Sequence, residues 1–237
     1  MRVLFLLALV CTVTAQLDPR FAENSCIVVG LDEAPSCNSP TFVNRSKPTF
    51  VDERQLFFAR LEDAVEFCPF DPVLIETIGT VYIHEPPTYA RARDITIHGV
   101  SVNEQRSTLV GLRDFDITQL GVTVAMNNLD LEGCLTKSPV FPCLSDQSLS
   151  LTDIAVRNYN SERALCQSAA SPRTQFWLVG SLMRNTCIWL NGVQEVNIIE
   201  NLFIDCGING TPCIRILNSS NYPVIINNVH EYSTPSD

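Results

Sequence analysis

Paired carboxylates are the residues of this chain best suited to acid–base chemistry or to calcium binding. Two close pairs occur, Asp130 with Glu132 and Glu200 with Asp205. Asp130 alternates with a leucine on either side, so in an extended strand its carboxylate faces solvent. A carboxylate in that position most often serves only solubility, and neither pair by itself predicts an active site.

The three histidines are the other candidates for proton transfer. They lie far apart in the sequence without a shared motif, at His84, His98 and His230, and they indicate no catalytic triad. Glycine-rich phosphate loops and zinc-type cysteine spacings are absent from the sequence as well. We therefore predict no catalytic residue, no metal site and no cofactor, and we favour a protein that is not an enzyme.

Aromatic side chains give a better indication of a binding surface, because an exposed ring can stack on a sugar. Trp189 stands between two aliphatic residues, so strand alternation turns it outward. Tyr222 lies in a polar bend and is expected to be exposed. We predict Trp189 and Tyr222 as ligand-binding residues with carbohydrate as the candidate ligand, and Trp177 and Tyr159 as further stacking surfaces. A loop packed over such a ring is the equally open alternative.

The first 15 residues have the features of a secretory signal. Arg2 gives a positive start, Val3 to Val13 form an apolar run, and small residues precede a cleavage point before Gln16. The run is too short to cross a membrane as a helix, and no later stretch is apolar enough to do so. We expect a protein that is secreted or held on an extracellular surface.

Secretion places the cysteines in an oxidising compartment, where they usually pair. Ten are encoded, and nine remain once Cys11 leaves with the signal. Disulfides between sequence neighbours would close short loops, each stabilising by about 2–4 kcal/mol, although spacing alone does not fix connectivity. Cys68 is then the odd cysteine. The spacing predicts four local pairs: Cys26 with Cys37, Cys134 with Cys143, Cys166 with Cys187, and Cys206 with Cys213.

Composition excludes some classes of protein. The chain has 237 residues, a formal net charge of −10, 46% hydrophobic and 18% charged residues, which argues against a disordered protein. Only Lys47 and Lys137 are lysines, and phosphate binding needs clustered positive charge, so nucleic acid is excluded as a partner. Asn44 and Asn218 begin N-glycosylation sequons and are expected to carry glycan in a secreted protein.

From about residue 72 the chain repeats two short strands joined by a bend. Apolar residues recur at i, i+2, i+5 and i+7 in the units beginning at 95, 124 and 149, and the unit at 176 keeps this spacing with one small substitution. Looser units begin at 196 and 224, so the six starts are separated by 29, 25, 27, 20 and 28 residues. This period predicts a solenoid in which each coil buries its inner face against the next. A β-sandwich is the ordinary alternative, and the lack of clear two-residue hairpin turns disfavours it.

The bends between the paired strands carry residues that tolerate a left-handed backbone. They are predicted at His98-Gly99, Asn127-Asn128, Thr152-Asp153, Val179-Gly180 and Asn227-Asn228. We interpret the recurring asparagines as ladders between coils rather than as ligands: Asn127, Asn128, Asn158, Asn185, Asn201, Asn227 and Asn228.

An additional strand precedes three of the units, within Ile117–Val124, Cys187–Val196 and Cys213–Val224. On the N-terminal side, a short amphipathic helix at Leu61–Cys68 leads into strands at Val73–Ile83. In these features the chain resembles the right-handed parallel β-helix of the pectin-lyase-like superfamily over about residues 49–237. The resemblance concerns architecture, and implies an all-β, right-handed parallel β-helix solenoid with a short N-terminal capping helix. Residues 1–15 form the signal peptide and 16–48 a Cys/Pro-containing N-terminal segment.

Members of this superfamily include polysaccharide lyases, pectin hydrolases, esterases and binding proteins. The hydrolase pattern has Asp-Asp and Gly-His-Gly segments that this chain lacks, and Arg215-Ile-Leu matches two of the three positions of its Arg-Ile-Lys segment. We favour a structural or glycan-binding module at a cell or particle surface over a lyase or hydrolase acting on acidic polysaccharide, which the negative charge would repel unless calcium intervenes. The C-terminal coil near 224–232 is a candidate surface for homo-oligomerisation.

Overall fold

The structure is a computed structural model. It describes residues 25–30, 50–52, 56–83, 94–111, 123–133, 148–157, 175–184, 186–206, 212–218 and 222–232. The predicted signal segment, Asn44, His84, Asn158, Tyr159 and Asn185 lie outside these ranges. No helix within them is long and apolar enough to cross a membrane.

The described residues form 17 strands and one helix. Their bounds are β1 (Cys26–Val29), β2 (Phe50–Asp52), β3 (Phe57–Phe58), α1 (Leu61–Phe67), β4 (Val73–Ile78), β5 (Thr80–Ile83), β6 (Ile95–Val100), β7 (Ser107–Gly111), β8 (Thr123–Gly133), β9 (Ser148–Arg157), β10 (Gln175–Val179), β11 (Leu182–Arg184), β12 (Ile188–Asn191), β13 (Glu195–Ile199), β14 (Leu202–Ile204), β15 (Ile214–Leu217), β16 (Val224–Ile226) and β17 (Val229–Glu231).

The strands stack as a parallel β-solenoid, which confirms the all-β solenoid prediction. One face, sheet 1, contains β1, β4, β6, the first halves of β8 and β9, then β10, β13 and β16. The adjoining face, sheet 2, contains β5, β7, the second halves of β8 and β9, then β11, β14 and β17. Strands β12 and β15 pair on a third face, as the additional-strand pattern predicts for two of its three units. The additional strand predicted from Ile117 lies outside the described residues and stays a prediction. Among these pairings only β2 with β3 is antiparallel.

One backbone position forms the corner between sheets 1 and 2 in five successive coils. The strand register aligns Asn128, Asp153, Gly180, Glu200 and Asn227 there, and each has a positive φ, between 48° and 57°. Glycine, asparagine and aspartate reach this left-handed conformation at least cost. The bends predicted at Asn128, Asp153, Gly180 and Asn227 are therefore confirmed.

The predicted bend at His98-Gly99 is wrong, because β6 continues through both residues to Val100. In this coil the positive φ angles occur later, at Asn103 and Glu104. Gly99 does not turn the chain but lets the next coil pack close to β6. A Cβ at this position would lie 2.2 Å from the backbone oxygen of Asn128 in that coil. A short Gly motif alone cannot distinguish these two uses of glycine.

Inside the corner, polar side chains form a ladder along the coils. Oδ1 of Asn201 accepts from the backbone N–H of Ser181 (2.9 Å), and Nδ2 of Asn201 donates to the Leu178 carbonyl (2.9 Å). One coil on, Oδ1 of Asn228 accepts from both the backbone N–H (3.0 Å) and Nδ2 (2.9 Å) of Asn201. Asn128 donates likewise to the Gly99 carbonyl. For these asparagines the ladder prediction is confirmed.

The hydrophobic core fills the interior of the coils. In β8 and β9 the residues at i, i+2, i+5 and i+7 are all at most 3% exposed, as the periodicity predicts. The inward rows of sheet 1 consist of Val73, Ile95, Val124, Leu149, Phe176 and Val196, and of Ile75, Ile97, Met126, Leu151, Leu178 and Ile198. Apolar side chains of successive coils stack on one another along each row, which buries a continuous apolar column.

Helix α1 packs against β1, β3, β4 and β5 at the N-terminal end of the described coils, where a capping helix is expected. Its apolar residues join the solenoid core. The amphipathic prediction holds only in part, because Glu62 and Asp63 are also buried. Nε of Arg60, itself buried, lies 3.8 Å from the Glu62 carboxylate and supplies an opposite charge.

A disulfide joins Cys26 of β1 to Cys68, the residue after α1, with Cα atoms 6.0 Å apart. The predicted pairing of Cys26 with Cys37 is therefore wrong, and Cys68 is not the odd cysteine. β1 lies within the segment 16–48 and pairs with β4, so Cys26 meets a residue 42 positions away rather than its sequence neighbour.

The second described disulfide, Cys206 with Cys213, confirms a predicted local pair, with Cα atoms 5.2 Å apart. Its seven-residue separation bridges the end of β14 and the start of β15. The predicted pairs Cys134 with Cys143 and Cys166 with Cys187 depend on residues outside the described ranges and stay predictions.

Candidate functional site

The outer surface of sheet 1 presents the strongest candidate for a binding surface. Trp177 of β10 points outward, because its neighbours Phe176 and Leu178 are fully buried, and it is 36% exposed. Ser150 of β9 and Asn197 of β13 are its direct register partners on the adjacent coils. Neighbouring strands are about 4.8 Å apart, so the indole lies between two polar side chains at close lateral spacing.

A hydrogen-bonded polar group borders this indole. Gln175 Nε2 donates to Glu195 Oε2 over 2.8 Å, and Asn197 Nδ2 donates to Glu195 Oε1 over 3.2 Å. Both oxygens of the Glu195 carboxylate are therefore held in place by amides. We call Ser150, Gln175, Trp177, Glu195 and Asn197 the Trp177 patch.

The two predicted ligand-binding residues, Trp189 and Tyr222, are not members of this patch. Trp189 belongs to β12 on the third face, opposite Arg215 of β15, and its side chain lies outside the described part of the structure. Tyr222 precedes β16 and is 98% exposed, as the polar bend predicts. Tyr222 lies two residues before Val224, the register partner of Asn197, so its backbone is on the coil next to the Trp177 patch. Trp189 and Tyr222 are on different faces and are not shown to form one site. Asn218 follows β15 and is exposed, and its glycosylation stays a prediction.

A second polar row crosses the N-terminal coils on the same sheet. The register aligns Ile27, Glu76, His98 and Asn127 from β1 to β8. Ser25 Oγ donates to Glu76 Oε2 over 3.1 Å, and the ring Nδ1 of His98 hydrogen-bonds Oδ1 of Asn127. Because an amide oxygen only accepts, His98 Nδ1 carries the proton in this bond.

Burial raises the pKa of the Glu76 carboxyl above its ordinary value, and the hydrogen bond from Ser25 and the charge of His98 act in the opposite direction. This set contains a hydroxyl, a carboxylate and an imidazole, but Ser25 donates to the carboxylate and not to the imidazole. The hydroxyl is thus not activated as in a nucleophilic triad. Ser25 and Glu76 are both 3% exposed. Their buried hydrogen bond fastens the start of β1 to β4.

The carboxylates singled out in the sequence do not form a calcium site in the part of the chain described. Arg106 lies between Asp130 and the corner residue Asp153: its Nε is 3.4 Å from Asp130 Oδ1, and its Nη1 is 3.1 Å from Asp153 Oδ1. The guanidinium supplies the positive charge that a cation would bring. Glu200 lies at the corner and Asp205 beyond β14, which separates their backbones by roughly 15 Å in extended chain.

Sequence reasoning missed one cluster of metal-ligating atoms. The two sulfurs of Cys206 and Cys213 and a ring nitrogen of His230 all lie within 4.8 Å of one another. His230 is on β17, directly opposite Phe203 of β14, so it reaches the cysteines from the adjacent coil. The repeat period, which places His230 one coil after Phe203, was the signal that could have located it.

No protein-family model, no curated protein and no solved structure matches the chain. The resemblance to the pectin-lyase-like superfamily is therefore supported at the level of the parallel β-solenoid alone.

Proposed function

We propose that this protein is a secreted, disulfide-supported β-solenoid that acts as a binding module for glycans at a cell or particle surface, with the Trp177 patch as its binding site. The observation that supports this most directly is the half-exposed indole of Trp177 between Ser150 and Asn197. Aromatic faces take up the apolar C–H face of a sugar, and a fixed carboxylate binds its hydroxyls. Asn197 is only 7% exposed, and its role is to hold the Glu195 carboxylate in position.

Rigidity supports the same proposal. The patch is built on three consecutive strands whose inner faces are packed in the core, and Gln175 and Asn197 hold the Glu195 carboxylate from two sides. A preformed site of this kind loses little conformational entropy when a ligand binds. Individual sugar sites of this size bind weakly, and repeated presentation on a surface raises the overall avidity.

The charge of the site selects among glycans. Glu195 contributes a carboxylate and the chain as a whole has a net charge of −10, so an acidic polysaccharide would be repelled. A carboxylate with free lone pairs accepts hydrogen bonds from neutral hydroxyls or from an amino sugar. Neutral hexoses and amino sugars are therefore the ligands we expect.

A glycan array with the mature protein tests the proposal. We expect binding to neutral or amino sugars that falls at least about tenfold in Trp177→Ala and survives in Trp177→Phe, since a phenyl ring retains a stacking face. Phe67→Ala is the matched control, since Phe67 is an exposed aromatic of α1 at the N-terminal end of the described coils. Equal binding by the protein and Trp177→Ala would remove the patch from the proposal.

The alternative of a lyase or hydrolase is tested on the same preparation. Polysaccharides are incubated with the protein, and unsaturated or reducing ends are measured. Release of such ends, in amounts proportional to the protein, would replace the binding module with an enzyme. Binding without turnover supports the module.

A further inference from the structure

The cluster of Cys206, Cys213 and His230 combines residues from two adjacent coils. Cys206 follows β14 and is buried, Cys213 precedes β15, and His230 belongs to β17. Their donor atoms lie within 4.8 Å of one another, which is the spacing at which ligands surround a single metal ion. In the oxidised state shown, Cys206 and Cys213 are joined as a disulfide.

The imidazole of His230 is positioned by packing. It stacks on the fully buried ring of Phe203, with ring centroids 5.0 Å apart and planes inclined by 13°. The backbone on either side is held as well, since β17 pairs with β14 and the backbone N–H of Asp205 donates to the Glu231 carbonyl. A ligand whose orientation is set beforehand costs less to recruit.

We propose that reduction of the Cys206–Cys213 disulfide opens a site for a thiophilic divalent cation, of which zinc is the type, formed by two thiolates and the His230 imidazole. A phosphine reductant supplies the two electrons: the S–S bond breaks, the phosphine takes oxygen from water to become its oxide, and the two protons of that water give two thiols. Binding of Zn²⁺ then releases both thiol protons to solvent. The oxidised protein does not form the site, because a disulfide carries no thiolate.

The ligand set fits zinc better than calcium or magnesium, which prefer oxygen ligands. Two thiolates and one neutral imidazole balance the charge of the ion. Three protein ligands leave a fourth tetrahedral position for water or an added molecule. This inference is independent of the Trp177 patch, which lies on another set of residues.

The first test compares zinc binding before and after phosphine reduction, with circular dichroism confirming that the solenoid is retained. We expect one equivalent of zinc in the reduced protein, with X-ray absorption showing two sulfurs at about 2.3 Å and one nitrogen at about 2.0–2.1 Å. His230→Gln should weaken binding at least about tenfold, whereas His98→Gln, on a distant coil, should not. An all-sulfur shell, or equal affinity in His230→Gln, would overturn the proposal.

Reduction also opens Cys26–Cys68 and other thiols, so a second test avoids the reductant. Cys213→His leaves the Cys206 thiolate and two imidazoles at the same position while Cys26–Cys68 stays intact. We expect this variant to bind zinc without reductant at least about tenfold more tightly than Cys213→Ala. Equal affinities in Cys213→His and Cys213→Ala would refute the site, whatever the reduced protein does.

Discussion

The side chain of Asn201 lies one coil away from that of Asn228 and donates from Nδ2 to Asn228 Oδ1 over 2.9 Å. Asn201 is 2% exposed, and its Oδ1 accepts the backbone N–H of Ser181 in the preceding coil. A single amide therefore links three coils at the corner between the two main sheets. Asparagine suits this role because it offers one acceptor and two donors in a small side chain.

Asn201→Ala removes these side-chain hydrogen bonds and leaves the buried N–H of Ser181 without its acceptor. We expect a loss of about 3 kcal/mol in the free energy of unfolding, measured by urea denaturation. Thr152→Ala, an exposed position on the outer face, is the control and should change stability by no more than about 0.5 kcal/mol. A loss at Asn201 as small as that at Thr152 would show that the ladder contributes little.

The two described disulfides close loops of very different length. Removing Cys26–Cys68, with a sequence separation of 42, should cost about 4 kcal/mol if loop entropy dominates. Removing Cys206–Cys213, with a separation of 7, should cost about 2 kcal/mol. The measurement is denaturation of the double variants Cys26→Ala/Cys68→Ala and Cys206→Ala/Cys213→Ala without reductant. A greater loss for the short loop would contradict the entropic argument.

Gly99 allows the next coil to approach closely. Gly99→Ala places a Cβ 2.2 Å from the Asn128 oxygen and 2.7 Å from the Leu129 Cβ, so the backbones must separate. We expect a loss of about 3 kcal/mol or more, measured by thermal unfolding. Gly180→Asn is the matched control, because no atom lies within 4 Å of its added Cβ and asparagine occupies the same corner position at Asn128 and Asn227. Similar losses in both variants would exclude close approach as the cause.

Glu76 makes stability depend on pH. Because burial raises its pKa above the ordinary value of 4.5, the folded chain holds this proton more tightly than the unfolded chain. The resulting stabilisation is complete below the unfolded pKa and is lost as pH rises through the folded pKa. Ser25 and Ile27 face the carboxyl from one side and His98 from the other.

Glu76→Gln keeps an acceptor for Ser25 and cannot ionise. We expect the stability of this variant relative to the native protein to rise as the pH increases above 4.5, the ordinary pKa of the carboxyl, and chemical denaturation at each pH measures it. Glu66→Gln, the same change at an exposed position of α1, is the control for the substitution itself. Parallel curves for the native protein and Glu76→Gln would contradict the role of burial.

The period of the sequence predicts which side chains face inward, since inward residues such as Met126 and Leu151 depend only on strand alternation and the corner. The amphipathic pattern predicts helix α1, and the close spacing of two cysteines predicts the disulfide Cys206–Cys213, because both features are set by neighbours in sequence. Contacts between coils could not be predicted this way. Glu76 meets His98, and Cys26 meets Cys68, only because the intervening connections return the chain to a particular register.

The candidate site shows the same division. Outward orientation of an aromatic follows from alternation, as for Trp177 between two buried residues. The hydrogen bonds of Gln175 and Asn197 to Glu195 depend on the lateral alignment of β10 with β13, which the sequence pattern does not specify. His230 approaches Cys206 from the adjacent coil, so the local cysteine spacing could not locate it and only the repeat period could have done so.

The corner position with positive φ has a consequence for how such a chain can change over time. Equivalent positions of the corner ladder in four successive coils are Ile154, Ser181, Asn201 and Asn228. They are 27, 20 and 27 residues apart in sequence, yet the corner has the same form in each coil. Length differences are therefore absorbed by the connections on the remaining sides. Insertions in these connections would leave the stacking rows in alignment, so new surface features can be added to one coil while its neighbours stay unchanged.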